Sequence, residues 1–138
     1  VSPGQFIPIY NALALAIEDS LVASVHGIYR GGLGIHLAMV AMAGNLGLTI
    51  DLKQIPAEAV SRDDTLLFSE SAGRFIVTID PQNKNQFEER FKGIPFACIG
   101  RVTENRDLVI RGLAGNPIIT QNVFNLKKAW KMPFGALI

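Results

Sequence analysis

His26-Gly27-Ile28-Tyr29-Arg30-Gly31-Gly32-Leu33 is the stretch whose reading decides the fold: a β-like run passes through two glycines into a segment that is apolar on nearly every side. Leu33 to Ala43 holds a single polar side chain, His36, so it reads as a helix buried in a core or against another domain. Leu46 to Leu52 then reads as the next strand. Glycines let a backbone approach a ligand closely, and the amides and dipole at a helix start favour an anion such as phosphate. In that reading His26 donates to a phosphate or acts as acid or base, and Arg30 supplies the bidentate bond that guanidinium makes with phosphate. The competing reading makes Gly31 and Gly32 a tight turn, His26 a satisfied residue at a strand end and Arg30 structural. His36, on an apolar helix, is read as packing.

Working outward, Ile9, Leu13 and Ile17 recur at helical spacing after Pro8, which suits a first turn, so a helix is expected to about Asp19. Leu21 to Ile28 reads as a strand. Ser61-Arg62-Asp63-Asp64 resembles a helix start, with Ser61 as cap and a carboxylate three residues later, before Leu66, Leu67 and Phe68. Phe75, Val77 and Ile79 alternate along a strand, and Asp80-Pro81 opens a helix whose Phe87 and Phe91 share one side. Ile94 to Val102 and Leu108 to Leu113 read as a hairpin joined by Glu104-Asn105-Arg106-Asp107. Asn122 caps a last helix with Val123, Leu126 and Trp130 as its apolar face, and Pro133 ends it. The expected class is α+β, a mixed β-sheet covered by helices in α/β/α layers.

A second candidate lies at Ser69-Glu70-Ser71-Ala72-Gly73-Arg74, a polar run between an apolar helix and a buried strand. Ser69, Glu70, Ser71 and Arg74 suit a ribose phosphate or an amide, or else pair among themselves through a Glu70–Arg74 salt bridge. Asp63 and Asp64 are better read as capping or solvated than as a magnesium site, so no metal ligand is assigned. Two histidines and one cysteine offer no nucleophile, base and orienter set, so no catalytic residue is assigned. There is no phosphate loop of the G-x-x-x-x-G-K-[ST] kind and no G-x-G-x-x-G.

Composition bounds the rest. The 138 residues suit a single domain, and 49% apolar with 18% charged residues is a globular composition. Thirteen basic and twelve acidic residues, spread to a net charge of +1, leave no basic footprint for nucleic acid. Leu33 to Leu48 is interrupted and short for a span, so no membrane partner is expected, nor is a signal or transit sequence. The lone Cys98 lies in an apolar run and reads as packing, which fits a reducing cytoplasmic setting. The chain opens on Val1-Ser2-Pro3-Gly4 without an initiator methionine and reads as a piece of a longer polypeptide.

In order, these pieces resemble the C-terminal domain of the aminoimidazole ribonucleotide synthetase-like superfamily, most closely the synthetase subunit of phosphoribosylformylglycinamidine synthase. That family carries a pattern like H-D-x-S-D-G-G-L, an alanine-rich helix and G-L-G-x-x-I-D-L. His26, Gly31-Gly32-Leu33, the helix through Ala43 and Leu46-Gly47-Leu48-Thr49-Ile50-Asp51-Leu52, with Pro56 following, correspond. Its L-F-S-E-S and R-F-x-V runs are matched by Leu67 to Ser71 and Arg74 to Val77, and Ile99-Gly100-Arg101-Val102-Thr103 matches a later strand. Where the family has aspartate, serine and aspartate, this chain has Gly27, Tyr29 and Arg30.

The resemblance implies ATP-dependent conversion of formylglycinamide ribonucleotide to formylglycinamidine ribonucleotide in de novo purine biosynthesis, with ammonia from glutamine. It implies a glutaminase subunit, in some members a small third subunit, and room for a homodimer. ATP and magnesium are expected mainly on an N-terminal nucleotide-binding domain outside this chain. The piece itself is then a C-terminal domain whose His26, Arg30, Gly31, Gly32, Ser69, Glu70, Ser71 and Arg74 line part of a substrate cleft. The rival expectations are a non-catalytic packing or dimerisation module using the Leu33 to Ala43 helix, and another superfamily enzyme: a selenophosphate or aminoimidazole ribonucleotide synthetase or a thiamine phosphate kinase.

Overall fold

The computed structural model describes the backbone of residues 3–137 and the side chains of residues 3–135. The first helix, α1 (Pro3–Glu18), begins earlier than its sequence suggested, and Pro8 lies inside it rather than at its first turn. A proline so near a helix start removes one hydrogen bond to the preceding turn, which the rest of the helix outweighs. Ala12, Leu13 and Ala16 are its buried side. The exit is a Schellman motif: Ser20 takes φ 56°, its N–H bonds Ile17 O, and the Leu21 N–H bonds Ala16 O. Leu21 therefore closes the helix, and strand β1 (Ser24–Ile28) starts three residues later than expected.

Helix α2 (Gly32–Gly44) and strand β2 (Gly47–Asp51) follow as read, with Asn45 left-handed between them. Helix α3 (Asp63–Phe68) is not capped by Ser61. Its first turn carries Asp63 and Asp64, whose charge suits a helix N-terminus, and Asp63 Oδ1 accepts the Leu113 N–H at 2.7 Å. Strand β3 (Arg74–Thr78) leads through Asp80, which accepts the Gln82 N–H at 2.9 Å, into helix α4 (Lys84–Arg90). Phe87 and Phe91 stack with centroids 4.5 Å apart, and Phe96 packs on both.

The expected hairpin is corrected. Residues 94–99 form no ladder, and strand β4 (Gly100–Thr103) pairs antiparallel with β2 rather than with strand β5 (Asp107–Arg111). β5 pairs parallel with β2 on its other edge. Residues 104–106 must cross two strand spacings, roughly 10 Å, which three residues reach only if nothing blocks the way. Gly47 clears it: a Cβ there would lie 2.5 Å from Thr103 Oγ1, 2.6 Å from Asp107 O and 2.7 Å from Asn105 Oδ1. Cys98 is exposed rather than packed. Strand β6 (Pro117–Asn122), absent from the sequence reading, pairs antiparallel with β5 through the Gly115-Asn116 turn.

A mixed four-stranded sheet, order β4-β2-β5-β6, thus carries helices, and β1 and β3 form a second, antiparallel sheet. Leu37 and Ala41 of α2 pack with Leu48, Ile50, Leu108 and Ile110 of the larger sheet and with Ile28 and Ile76 of the smaller. α2 therefore lies between the sheets, and most of its apolar surface is used inside the chain, with Ile35 left 39% exposed. On β3, Ile76 faces α2 while Phe75 and Val77 face α1 and α4.

Helix α5 (Val123–Lys131) buries Val123 completely, but Trp130 is 53% exposed. Asn122 Oδ1 caps it from Phe124 N–H at 3.0 Å, and its amide donates to Asp107 Oδ1 at 3.1 Å. Asn122→Ala is expected to cost about 1–2 kcal/mol. Urea unfolding measures this, and an unchanged midpoint contradicts the cap.

Candidate functional site

Ile28 is the register partner of Arg74, so the chain leaving β1 and the chain entering β3 run side by side at one end of the small sheet. The Tyr29–Gly32 turn and the Ser69–Gly73 loop consequently meet. Gly31 N–H donates to Glu70 Oε1 at 2.8 Å, and a Cβ on Gly32 would lie 2.6 Å from Leu67 O. Arg74 Nε donates to Ser71 O at 3.0 Å and its Nη2 to Ser69 O at 2.6 Å. The internal Glu70–Arg74 pair is thus replaced by two ties of different purpose: the carboxylate holds the turn and the guanidinium holds the loop. Burial pulls the Arg74 pKa below its ordinary value, which leaves a guanidinium charged at neutral pH.

The edge so formed is partly open. Arg30, Glu70 and Ser71 are exposed, Ser69, Arg74, Gly31 and His26 are half-buried, and Gly32 is buried. All eight residues singled out from the sequence lie on these two neighbouring segments or at the β1 end that feeds them. One residue of the arrangement was read only as packing. His36 is 5% exposed, yet its Nδ1 is 2.7 Å from His26 Nε2 and its Nε2 accepts the Tyr29 N–H at 2.9 Å. The available signal was its position one turn beyond Gly32, on the side of the helix that looks back at the strand. Burial, then the neighbouring His36, pulls the His26 pKa below 6.5.

The departures from the family pattern have a geometry of their own. A Cβ on Gly27 would overlap the Tyr29 phenol, and the Tyr29 ring stands edge-on to His36 with centroids 5.7 Å apart. The glycine at 27 and the tyrosine at 29 therefore go together. Asp64 accepts from Arg62 and Thr65, and Asp63 is committed to Leu113. Among the described residues no group of three or more His, Cys, Asp or Glu side chains is placed to hold a metal ion. No helix among them is long and apolar enough to cross a membrane. A hollow lined by Asp19, Leu21, Gln86, Glu89 and Arg90 lies between α1 and α4, apart from this edge.

Residues 7–112 match the family described as AIR synthase related protein, C-terminal domain. The chain belongs to that family. Phosphoribosylformylglycinamidine synthase subunit PurL of Lactobacillus helveticus is 39% identical over 116 residues, which are 84% of this chain and 14% of that protein. Its namesake from Thermococcus sibiricus is 42% identical over 89 residues, 64% of this chain and 12% of that protein. The chain thus spans a small part of the length of the relatives it matches.

Among solved structures, Thermotoga maritima PurL complexed with FGAR superposes with a TM-score of 0.80 at 20% identity, covering 91% of this chain and 21% of that one. The same protein complexed with ATP gives 0.76 at 21% identity, and the Thermotoga maritima PurLQS structure gives 0.77 at 20% identity. Each of those two covers 86% of this chain and 21% of the other. At these identities the likeness is one of fold, and it includes the mixed sheet with helices on it.

Proposed function

We propose that this chain is the C-terminal domain of a larger ATP-dependent synthetase that makes formylglycinamidine ribonucleotide from formylglycinamide ribonucleotide in purine biosynthesis. Its part is one wall of the substrate cleft. The observation that carries the wall is the Glu70 tie to the Gly31 amide, which fixes two segments distant in sequence into one exposed edge. Arg74 stiffens that edge from behind, through two backbone carbonyls. Arg30, Ser71 and the outer oxygen of Glu70 are left to meet the ribose and phosphate. Because Glu70 already occupies the Gly31 amide, the phosphate is met by the Arg30 side chain rather than by that N–H.

ATP, with magnesium, supplies the driving force for C–N bond formation and is held mainly by a nucleotide-binding domain elsewhere in the synthetase. Asp63 and Asp64, the adjacent carboxylates nearest this edge in sequence, are spent on amides and on Arg62, which supports that division. Ammonia comes from a glutaminase subunit, which the match to PurLQS supports, and the assembly has room for a small third subunit. The enzyme is cytoplasmic, and a homodimer is compatible with this reading.

Two outcomes follow. The 138-residue chain alone makes no formylglycinamidine ribonucleotide, since half the cleft is elsewhere; measurable amidine formation by it would refute the division of labour. In the intact synthetase, Arg74→Ala removes two charge-assisted hydrogen bonds, each worth about 1.5–3 kcal/mol. Isothermal titration should then show formylglycinamide ribonucleotide binding at least about tenfold more weakly. Unchanged affinity removes this segment from the site and favours a packing module.

A further inference from the structure

Among the described residues His36 is the only buried polar or charged side chain, and every hydrogen it can carry is fixed by one backbone group. The Tyr29 N–H can only donate, so His36 Nε2, 2.9 Å away, must present its lone pair. A neutral His36 then carries its proton on Nδ1 and donates to His26 Nε2 at 2.7 Å. His26, accepting there, carries its own proton on Nδ1. Arg30 O lies 3.2 Å from the same His36 Nε2 and receives nothing from it in this state.

Proton counting gives the consequence. Two neutral rings share two protons, one of them in the bond between the rings. If a third proton arrives and that bond persists, both outer nitrogens must be protonated, whichever ring carries the charge. His36 Nε2 then becomes a donor. It faces the Tyr29 N–H unfavourably and has Arg30 O within reach.

We propose that His36 is the positioning residue of the Tyr29–Gly32 turn, and that the His26–His36 pair holds the turn by the Tyr29 amide when neutral and by the Arg30 carbonyl when singly protonated. The exchange moves the backbone that carries the Arg30 side chain and the Gly31 amide held by Glu70. The groups around the pair are few. α2 contributes no other ionisable residue, and on β3 the partner of His26 is the apolar Ile76. Arg74, across from Ile28, opposes an added proton, Glu70 at Gly31 favours one, and the Tyr29 ring packs edge-on.

The direction of pH dependence is set by burial, which holds His26 below its ordinary 6.5. The native state thus binds this proton less readily than the unfolded chain. The stability contributed by the neutral brace is complete above about pH 6.5 and declines as pH falls through the lower native value.

The brace stands on its own geometry; its bearing on substrate rests on the reading of this turn as cleft wall. Nitrogen-15 NMR of the imidazoles and of the Tyr29 amide, titrated from about pH 8 to about pH 5, tests the brace in this chain. At the upper end His36 should show a bare Nε2 and His26 a protonated Nδ1. On acidification His36 Nε2 should gain its proton as the Tyr29 amide shifts. A protonated His36 Nε2 at the upper end, or a Tyr29 amide that stays fixed while His26 titrates, overturns the proposal.

His36→Leu removes the acceptor itself, so its Tyr29 amide should be displaced already at the upper end and follow the His26 titration less than in wild type; movement equal to wild type also overturns it. Should that variant fail to fold, the wild-type tautomers decide alone. In the intact synthetase, affinity for formylglycinamide ribonucleotide should fall severalfold across the same titration. Constant affinity alongside a confirmed brace removes the turn from the cleft and leaves the brace standing.

Discussion

Leu37→Ala is expected to destabilise this chain by about 3–5 kcal/mol, the upper part of the range for truncating a buried leucine. Leu37 is 1% exposed and sits where α2 faces both sheets, packed in the cluster that joins Ile28 and Ile76 to Leu48 and Ile110. Neither sheet can move in to fill the gap without leaving the other, so the cavity stays open. A midpoint shift in urea with an unchanged slope is the expected signature. A loss under about 1 kcal/mol contradicts the placement of this helix between the sheets and restores it as a surface element.

Gly32→Ala is the second large effect, and it acts on the candidate site itself. Gly32 has φ +69°, a region that costs an L-residue about 1–2 kcal/mol. The added Cβ also meets backbone, 2.6 Å from Leu67 O and 2.8 Å from the Phe68 Cα, and overpacking of that kind adds about 1–3 kcal/mol. A total near 3–4 kcal/mol is expected, with the turn pushed off the end of α3 and its tie to Glu70 loosened. Gly93→Ala is the control: φ is +80° but nothing lies within 4 Å, so only the conformational cost should appear. Equal losses at the two positions contradict the close approach of turn and helix.

How much of this could be read from the chain depends on whether the signal was local. The order of α2, β2 and β3, the Asp80 turn and the Asn122 cap were legible, because apolar periodicity and capping residues act over a few positions. The false hairpin was not avoidable on the same terms. Glu104 to Asp107 looks like a two-strand turn, and only the space above Gly47 in a distant strand lets it cross β2. β6 was missed although its signal was local: Ile118, Ile119 and Thr120 are β-branched and follow the Gly115-Asn116 turn. Pro8 is ambiguous in sequence, because proline fits a first turn best and is still tolerated one turn later, where α1 places it.

For the site, the sequence offered two segments but not their juxtaposition, which the β1–β3 register creates. The internal reading of Glu70 and Arg74 had the right residues and the wrong partners, since each reaches backbone rather than the other. His36 was the deeper omission. On an apolar helix a histidine looks like filler, and its role depends on a strand residue and an amide that only the fold brings within 3 Å.

Hydrogen exchange on the intact synthetase, with and without formylglycinamide ribonucleotide, reads the two segments at once. Slower exchange with substrate in the amides of residues 29–34 and 69–74 together is the predicted result, because one tie binds them into one wall. Protection confined to one of them, or to neither while the rest of the enzyme responds, would contradict the wall.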